Sequence, residues 1–114
     1  MEQEHLKLKL HELFKKLAPE DWNLVFYTPI LFNKNWMAYT GYAQKIVHFN
    51  KMTLRRGSWA ICKEVLKHEI AHIRAGSRAK HGDIWQLEAH KLGCLVLAPV
   101  TESFDFDILR ELDN

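Results

Sequence analysis

The run His68-Glu69-Ile70-Ala71-His72 sets two imidazoles four residues apart with a carboxylate between them. Residues four apart on an α-helix are stacked one turn above the other on nearly the same face. His68 and His72 can therefore share one divalent ion, and Glu69 beside them can act as a base toward water on that ion. Two His ligands and one Glu at this spacing suit Zn2+ and metal-assisted hydrolysis.

Zinc in a hydrolytic site takes three protein ligands and keeps a fourth position open. Two residues compete for the third place. His81 follows His72 after a stretch long enough to stop a helix, turn and come back toward the ion. Glu88 lies seven residues further on, about 700° of helical rotation and about 10 Å along the axis, so it shares a face with His81. His90 is half a turn out of phase with His81 and is set aside. Asp83 or Glu88 could orient a ligand His from behind. Tyr39, Tyr42 and His48 are candidate hydrogen-bond donors to an oxyanion, and nothing in the sequence selects among them. Cys62 and Cys94 form no C-x-x-C pair and are expected to be free and buried.

These side chains need a scaffold, and the chain's periodicity describes an α+β one. Residues 2–17 read as an amphipathic helix, with Leu6, Leu10, Leu13, Phe14 and Leu17 on one face and lysines on the other. Ala18-Pro19-Glu20-Asp21 ends it. Three short β-branched and aromatic runs follow: 23–28, 35–40 and 44–49. With Gly41 between the last two, they predict a hairpin within a small three-stranded antiparallel sheet. The strand ending at Phe49 is a place where an extended substrate could add. Residues 50–57 read as a polar linker, and Ser58 is a plausible N-cap. A helix is predicted from Trp59 to about Ala75, with Ile61, Val65, His68 and His72 along one seam, stopped by Gly76. A second helix is predicted from about Asp83 to Leu92, with Trp85, Ala89 and Leu92 inward. Residues 94–98 read as extended, and Asp105 to Leu112 as a last short helix.

With 114 residues and 47% apolar composition, the chain is expected to be one folded domain, its core over about residues 2–94 and a C-terminal extension over 95–114. No apolar run is long enough to cross a membrane, and residues 1–5 do not resemble a secretory signal, so a cytoplasmic location is expected. The net charge of +2 is unevenly spread. Residues 45–80 hold nine basic and two acidic side chains, and residues 99–114 hold five acidic and one basic. The basic segment brackets the metal motif and could meet nucleic acid or an acidic substrate. A non-catalytic, zinc-stabilised nucleic-acid-binding module is therefore the alternative to an enzyme.

The order His68-Glu69-x-x-His72, His81-Gly82, Trp85, and then Leu92-Gly93-Cys94 resembles the SprT-like metalloprotease family, which includes Spartan-type proteases. In that family the third His is often followed by Gly, an aromatic comes four residues later, and a Leu/Ile-Gly pair closes the motif. An N-terminal helix, a Trp-led strand and a hairpin before the metal helix complete the likeness, which covers residues 2–94. It implies a zincin-type peptidase with Zn2+ on His68, His72 and His81 and with Glu69 as base. It also implies protein or peptide substrates, among them proteins crosslinked to DNA. The chain departs from the family in that residues 1–114 hold only two cysteines, too few for a four-Cys ribbon, and no separate DNA-binding domain is expected within them. A second resemblance, of Glu88-Ala89-His90 and Leu97-Ala98-Pro99 to ImmA/IrrE-type regulatory metallopeptidases, implies Glu88 as third ligand instead.

Overall fold

A computed structural model of the chain describes residues 3–28, 37–79 and 82–94. The first helix, α1 (Gln3–Leu17), buries Leu6, Leu10 and Phe14, each one turn from the next, as the apolar spacing predicts. Glu4 in its first turn and Lys15 and Lys16 in its last complement the helix dipole. The Ala18 N–H closes the last turn on the Phe14 carbonyl at 2.8 Å, and Pro19, without an N–H, cannot extend it.

Three strands follow, β1 (Asn23–Tyr27), β2 (Ala38–Gly41) and β3 (Ile46–Asn50). They form one sheet in the order β1-β3-β2. β2 and β3 make the expected antiparallel hairpin, with Ala38 opposite Phe49 and Thr40 opposite Val47. Its turn runs through Tyr42 to Lys45, which takes a positive φ of 56°. The sheet is not wholly antiparallel, because β1 runs parallel to β3, with Leu24 opposite Val47 and Phe26 opposite Phe49. Alternation of apolar and polar residues shows which face a strand buries and is blind to the direction of its neighbour. Tertiary packing decides that, here including the Phe26 and Phe49 rings with centroids 5.7 Å apart. Among the described residues β3 is consequently the central strand, paired on both sides, and β2 is the edge strand packed against α3.

The expected linker after β3 is instead a short helix, α2 (Lys51–Arg56). The Asn50 side chain caps it by accepting from the Met52 N–H at 2.8 Å, and Gly57 ends it. Thr53 and Leu54 are buried, and the Thr53 hydroxyl donates to the Met37 carbonyl at 3.0 Å. Next comes α3 (Trp59–Ala75), capped by Ser58, whose hydroxyl accepts from the Ile61 N–H at 3.3 Å. Gly76, at φ 92°, sends its N–H back to the His72 carbonyl and stops the helix. The last described element is α4 (Asp83–Lys91). It buries Trp85 and Ala89, with Leu92 just beyond, as its spacing predicts.

α3 is the central helix and packs against α1, α4 and β2. Ile61, Cys62, Val65, Leu66, Ile70 and Ala71 fill the core from α3. No helix among the described residues is long and apolar enough to cross a membrane. The extended stretch expected after Cys94 and the helix expected over Asp105 to Leu112 lie outside the described residues.

Candidate metal centre

The three side chains of the motif lie within little more than one turn of α3 and are nearly closed off from solvent: His68 is 1% exposed, Glu69 3% and His72 8%. Their imidazole rings are tilted, with centroids 4.9 Å apart, and turn their Nε2 atoms toward each other at 3.2 Å. One ligating atom from each of His68, Glu69 and His72 lies within 4.8 Å of the others, the grouping among the described residues that could hold a metal ion. Tetrahedral zinc with nitrogen ligands at about 2.0–2.1 Å sets neighbouring nitrogens about 3.3–3.4 Å apart. The observed 3.2 Å lies within a few tenths of an ångström of that, so the spacing of this donor pair suits a shared divalent ion.

Two neighbouring elements hold the helix turn in place. From α4, the Trp85 ring lies 4.7 Å from His68 and 5.6 Å from His72 between centroids, forming a wall against both imidazoles. Its indole N–H donates to the His68 carbonyl at 3.2 Å, which ties the wall to the turn it supports. From β2, the Thr40 hydroxyl lies 3.2 Å from Glu69 Oε2 and 3.5 Å from the Glu69 carbonyl. Just past the end of β2, the Tyr42 hydroxyl donates to the His72 carbonyl at 3.2 Å. Each of the three motif residues is thus held, at side chain or carbonyl, by a group far from it in sequence.

The other expected participants separate clearly. His81 lies outside the described residues. Glu88 is half-buried on α4 but binds Lys91 Nζ at 3.3 Å and does not join the ligand group. Asp83 is exposed in the first turn of α4, likewise outside that group. Tyr39 and His48 are paired across β2 and β3 and stack with centroids 4.4 Å apart. Strand alternation puts them on the sheet face opposite Thr40 and Val47. Burial pushes the His48 pKa below its ordinary value. The Tyr42 hydroxyl stands beside the histidine turn. Cys62 is buried and turns its thiol to the Thr53 carbonyl at 3.6 Å, outside the His68, Glu69 and His72 group. Cys94 is half-buried, and burial first, then the Glu64 carboxylate, pushes its thiol up to about 12.

Thr40 carries no sequence signal of a role here. It is one polar residue in a short strand, and its contact with Glu69 spans 29 positions. Comparison of the chain with family models, curated proteins and solved structures finds no match.

Proposed function

We propose that the protein is a zinc-dependent peptidase of SprT-like type. The observation that carries this reading is the pair of buried Nε2 atoms 3.2 Å apart with the Glu69 carboxylate beside them. His68 and His72 would hold the ion, and His81 is proposed as the third ligand. When bound, zinc would acidify a water molecule and polarise the scissile carbonyl.

The chain's own residues supply the rest. Glu69 takes the proton of the attacking water and returns it to the leaving amine. The Thr40 hydroxyl holds one carboxylate oxygen, so the base meets its proton in a fixed orientation. Trp85 keeps both imidazoles in register and shields them on one side. Tyr42 donates to the oxyanion after leaving the His72 carbonyl, a movement of one phenol. An extended substrate adds along β2, the edge strand that carries Thr40, so its backbone is drawn beside Glu69.

We further propose that the peptidase works in the cytoplasm on proteins associated with nucleic acid. The basic surface of residues 45–80 supports this, with Arg55 and Arg56 exposed on α2. Lys9 adds to it from α1, its ammonium 4.4 Å over the Trp59 ring. The test is metal analysis and peptide cleavage by the purified chain and by Glu69→Gln. A peptidase keeps its zinc and loses cleavage in that variant. Zinc binding with no cleavage by either protein would leave a binding module, and absence of zinc from both would end the proposal.

A further inference from the structure

From Trp59 to His72, α3 leaves only Trp59, Ala60, Lys63 and Lys67 less than buried, and Arg74 follows fully exposed. At about 100° per residue, Trp59, Lys63, Lys67 and Arg74 fall within about 80° of arc, and Lys63 to Arg74 spans about 16 Å. Lys63 and Lys67 are half-buried, as expected of aliphatic stems lying on a helix with their charged ends in water. The acids of α3, Glu64 and Glu69, are each 3% exposed, so neither interrupts the row. His68, Glu69 and His72 lie roughly 120–160° away round the axis, on the other side of the helix.

Two further helices extend this basic face. The Lys9 ammonium stands 4.4 Å over the Trp59 ring, and Arg74 Nη2 donates to the Leu17 carbonyl at 3.1 Å. The start of α3 thus meets the middle of α1 and its last turn the end of α1, so the two helices run the same way. Lys16 shares the Lys9 side of α1, about 20° off after seven residues. Glu12, exposed about 60° round α1 from Lys9, is the acid on that flank. α2 ends just before Trp59, and its Arg55 and Arg56 line a cleft of about 170 Å³ with Met52. Among the described residues the lysines in salt bridges are Lys7, Lys45 and Lys91, none of them on this face.

The composition of the face argues for one kind of partner. Protein interfaces bury an apolar centre within a polar rim. The exposed large apolar side chains among the described residues, Leu8, Val25, Ile84 and Leu87, come from α1, β1 and α4, and none from α2 or α3. A row of cations without apolar anchors suits a phosphodiester backbone, which is held by charge and the release of counterions.

We propose that a nucleic-acid backbone lies along this face, its phosphates on the Lys63–Arg74 row, on the Lys9 flank of α1 and on Arg55 and Arg56. This surface rests on the nucleic-acid partner proposed above and sets it on the side of α3 turned away from the metal turn. Nucleic acid and a peptide can then be held at once. Binding of a labelled mixed-sequence DNA duplex to the full chain, by fluorescence anisotropy across a salt series, tests this without metal or activity. Binding should weaken steeply with salt. Lys63→Gln/Lys67→Gln should weaken it about tenfold and lower the log–log salt slope by about two. Arg55→Gln/Arg56→Gln, exposed on α2, should do the same, which covers a folding defect in the first pair. Lys7→Gln/Lys15→Gln removes equal charge from the opposite flank of α1, beside Phe26 and Leu24, and should change affinity by less than about twofold. Equal loss in that control, or full affinity in either test pair once folded, would overturn the assignment of this face and keep nucleic acid as a partner. A duplex that the parent chain does not bind would overturn the partner as well, and polyglutamate bound in its place would identify an acidic protein instead. Zinc content and peptide cleavage decide the peptidase reading separately.

Discussion

Replacing Thr40 with Val keeps the shape of the side chain and deletes the hydroxyl that meets Glu69 Oε2 at 3.2 Å. A hydrogen bond to a charged group contributes about 1.5–3 kcal/mol. The contact is at the long end of the range and Thr40 is only half-buried, so the lower figure applies. About 1.5 kcal/mol of lost orientation corresponds to a fall of roughly tenfold in kcat. Because Thr40 touches the base and neither histidine ring, zinc content should stay at the parent level. Steady-state cleavage of a quenched peptide, with zinc measured on the same samples, reads both quantities. Thr40→Ser restores a hydroxyl and should recover most of the rate. Full activity in Thr40→Val with zinc bound would refute the assignment of Thr40 as the positioning residue for Glu69. Loss of zinc would show that the strand holds the ligands and not the base.

Other expectations follow from the same geometry. Glu69→Gln should lower cleavage by about 10²–10⁴-fold, the range of a positioned acid–base group, with metal affinity nearly unchanged by equilibrium dialysis. Trp85→Phe keeps the aromatic wall and removes the indole N–H from the His68 carbonyl; the cost should be about 1 kcal/mol, read as a fall of about 4 °C in Tm. Chelation should lower Tm in the parent chain and leave a His68→Ala/His72→Ala variant unmoved, because an ion held only by the folded state stabilises it by mass action. His48 supplies a pH dependence with a definite sign. Its pKa is lowered in the folded state by burial, so the unfolded chain takes up its proton first as pH falls. The His48 contribution to stability is complete above the ordinary value of 6.5 and is lost as pH falls from there toward the folded value. His48→Gln should flatten that part of the urea-midpoint profile.

The sequence made α1, α3 and α4 legible because each runs long enough to show a helical period over two turns or more, and the buried sets match: Leu6, Leu10 and Phe14, Ile61 and Val65, Trp85 and Ala89. α2 escaped because six residues hold less than two turns, and its capping Asn50 reads equally well as a loop residue. The parallel pairing of β1 escaped because Leu24 and Phe26 alternate identically whichever way β3 runs. At the site, the His68, Glu69 and His72 cluster follows from helical spacing alone, since all three sit within one turn or so of α3. Thr40 and Tyr42 were not assignable to the turn in the same way. Their contacts with Glu69 and His72 span 29 and 30 positions and exist only once the hairpin lies along α3.

The burial of these residues is itself an argument about purpose. Positions 68 and 72 continue the seam of Ile61 and Val65, where Leu or Ile would pack without polar cost. Two imidazoles and a carboxylate, all less than a tenth exposed, instead place polar groups in the core, where each must find a partner. The fold then surrounds them with support that an apolar seam would not need: an indole against both rings, a hydroxyl on the carboxylate, a phenol on the last carbonyl of the turn. Sequences depart from the locally most stable choice where a site requires it. A divalent ion shared by the two Nε2 atoms would turn the departure to advantage, giving the buried imidazoles and the carboxylate a common partner.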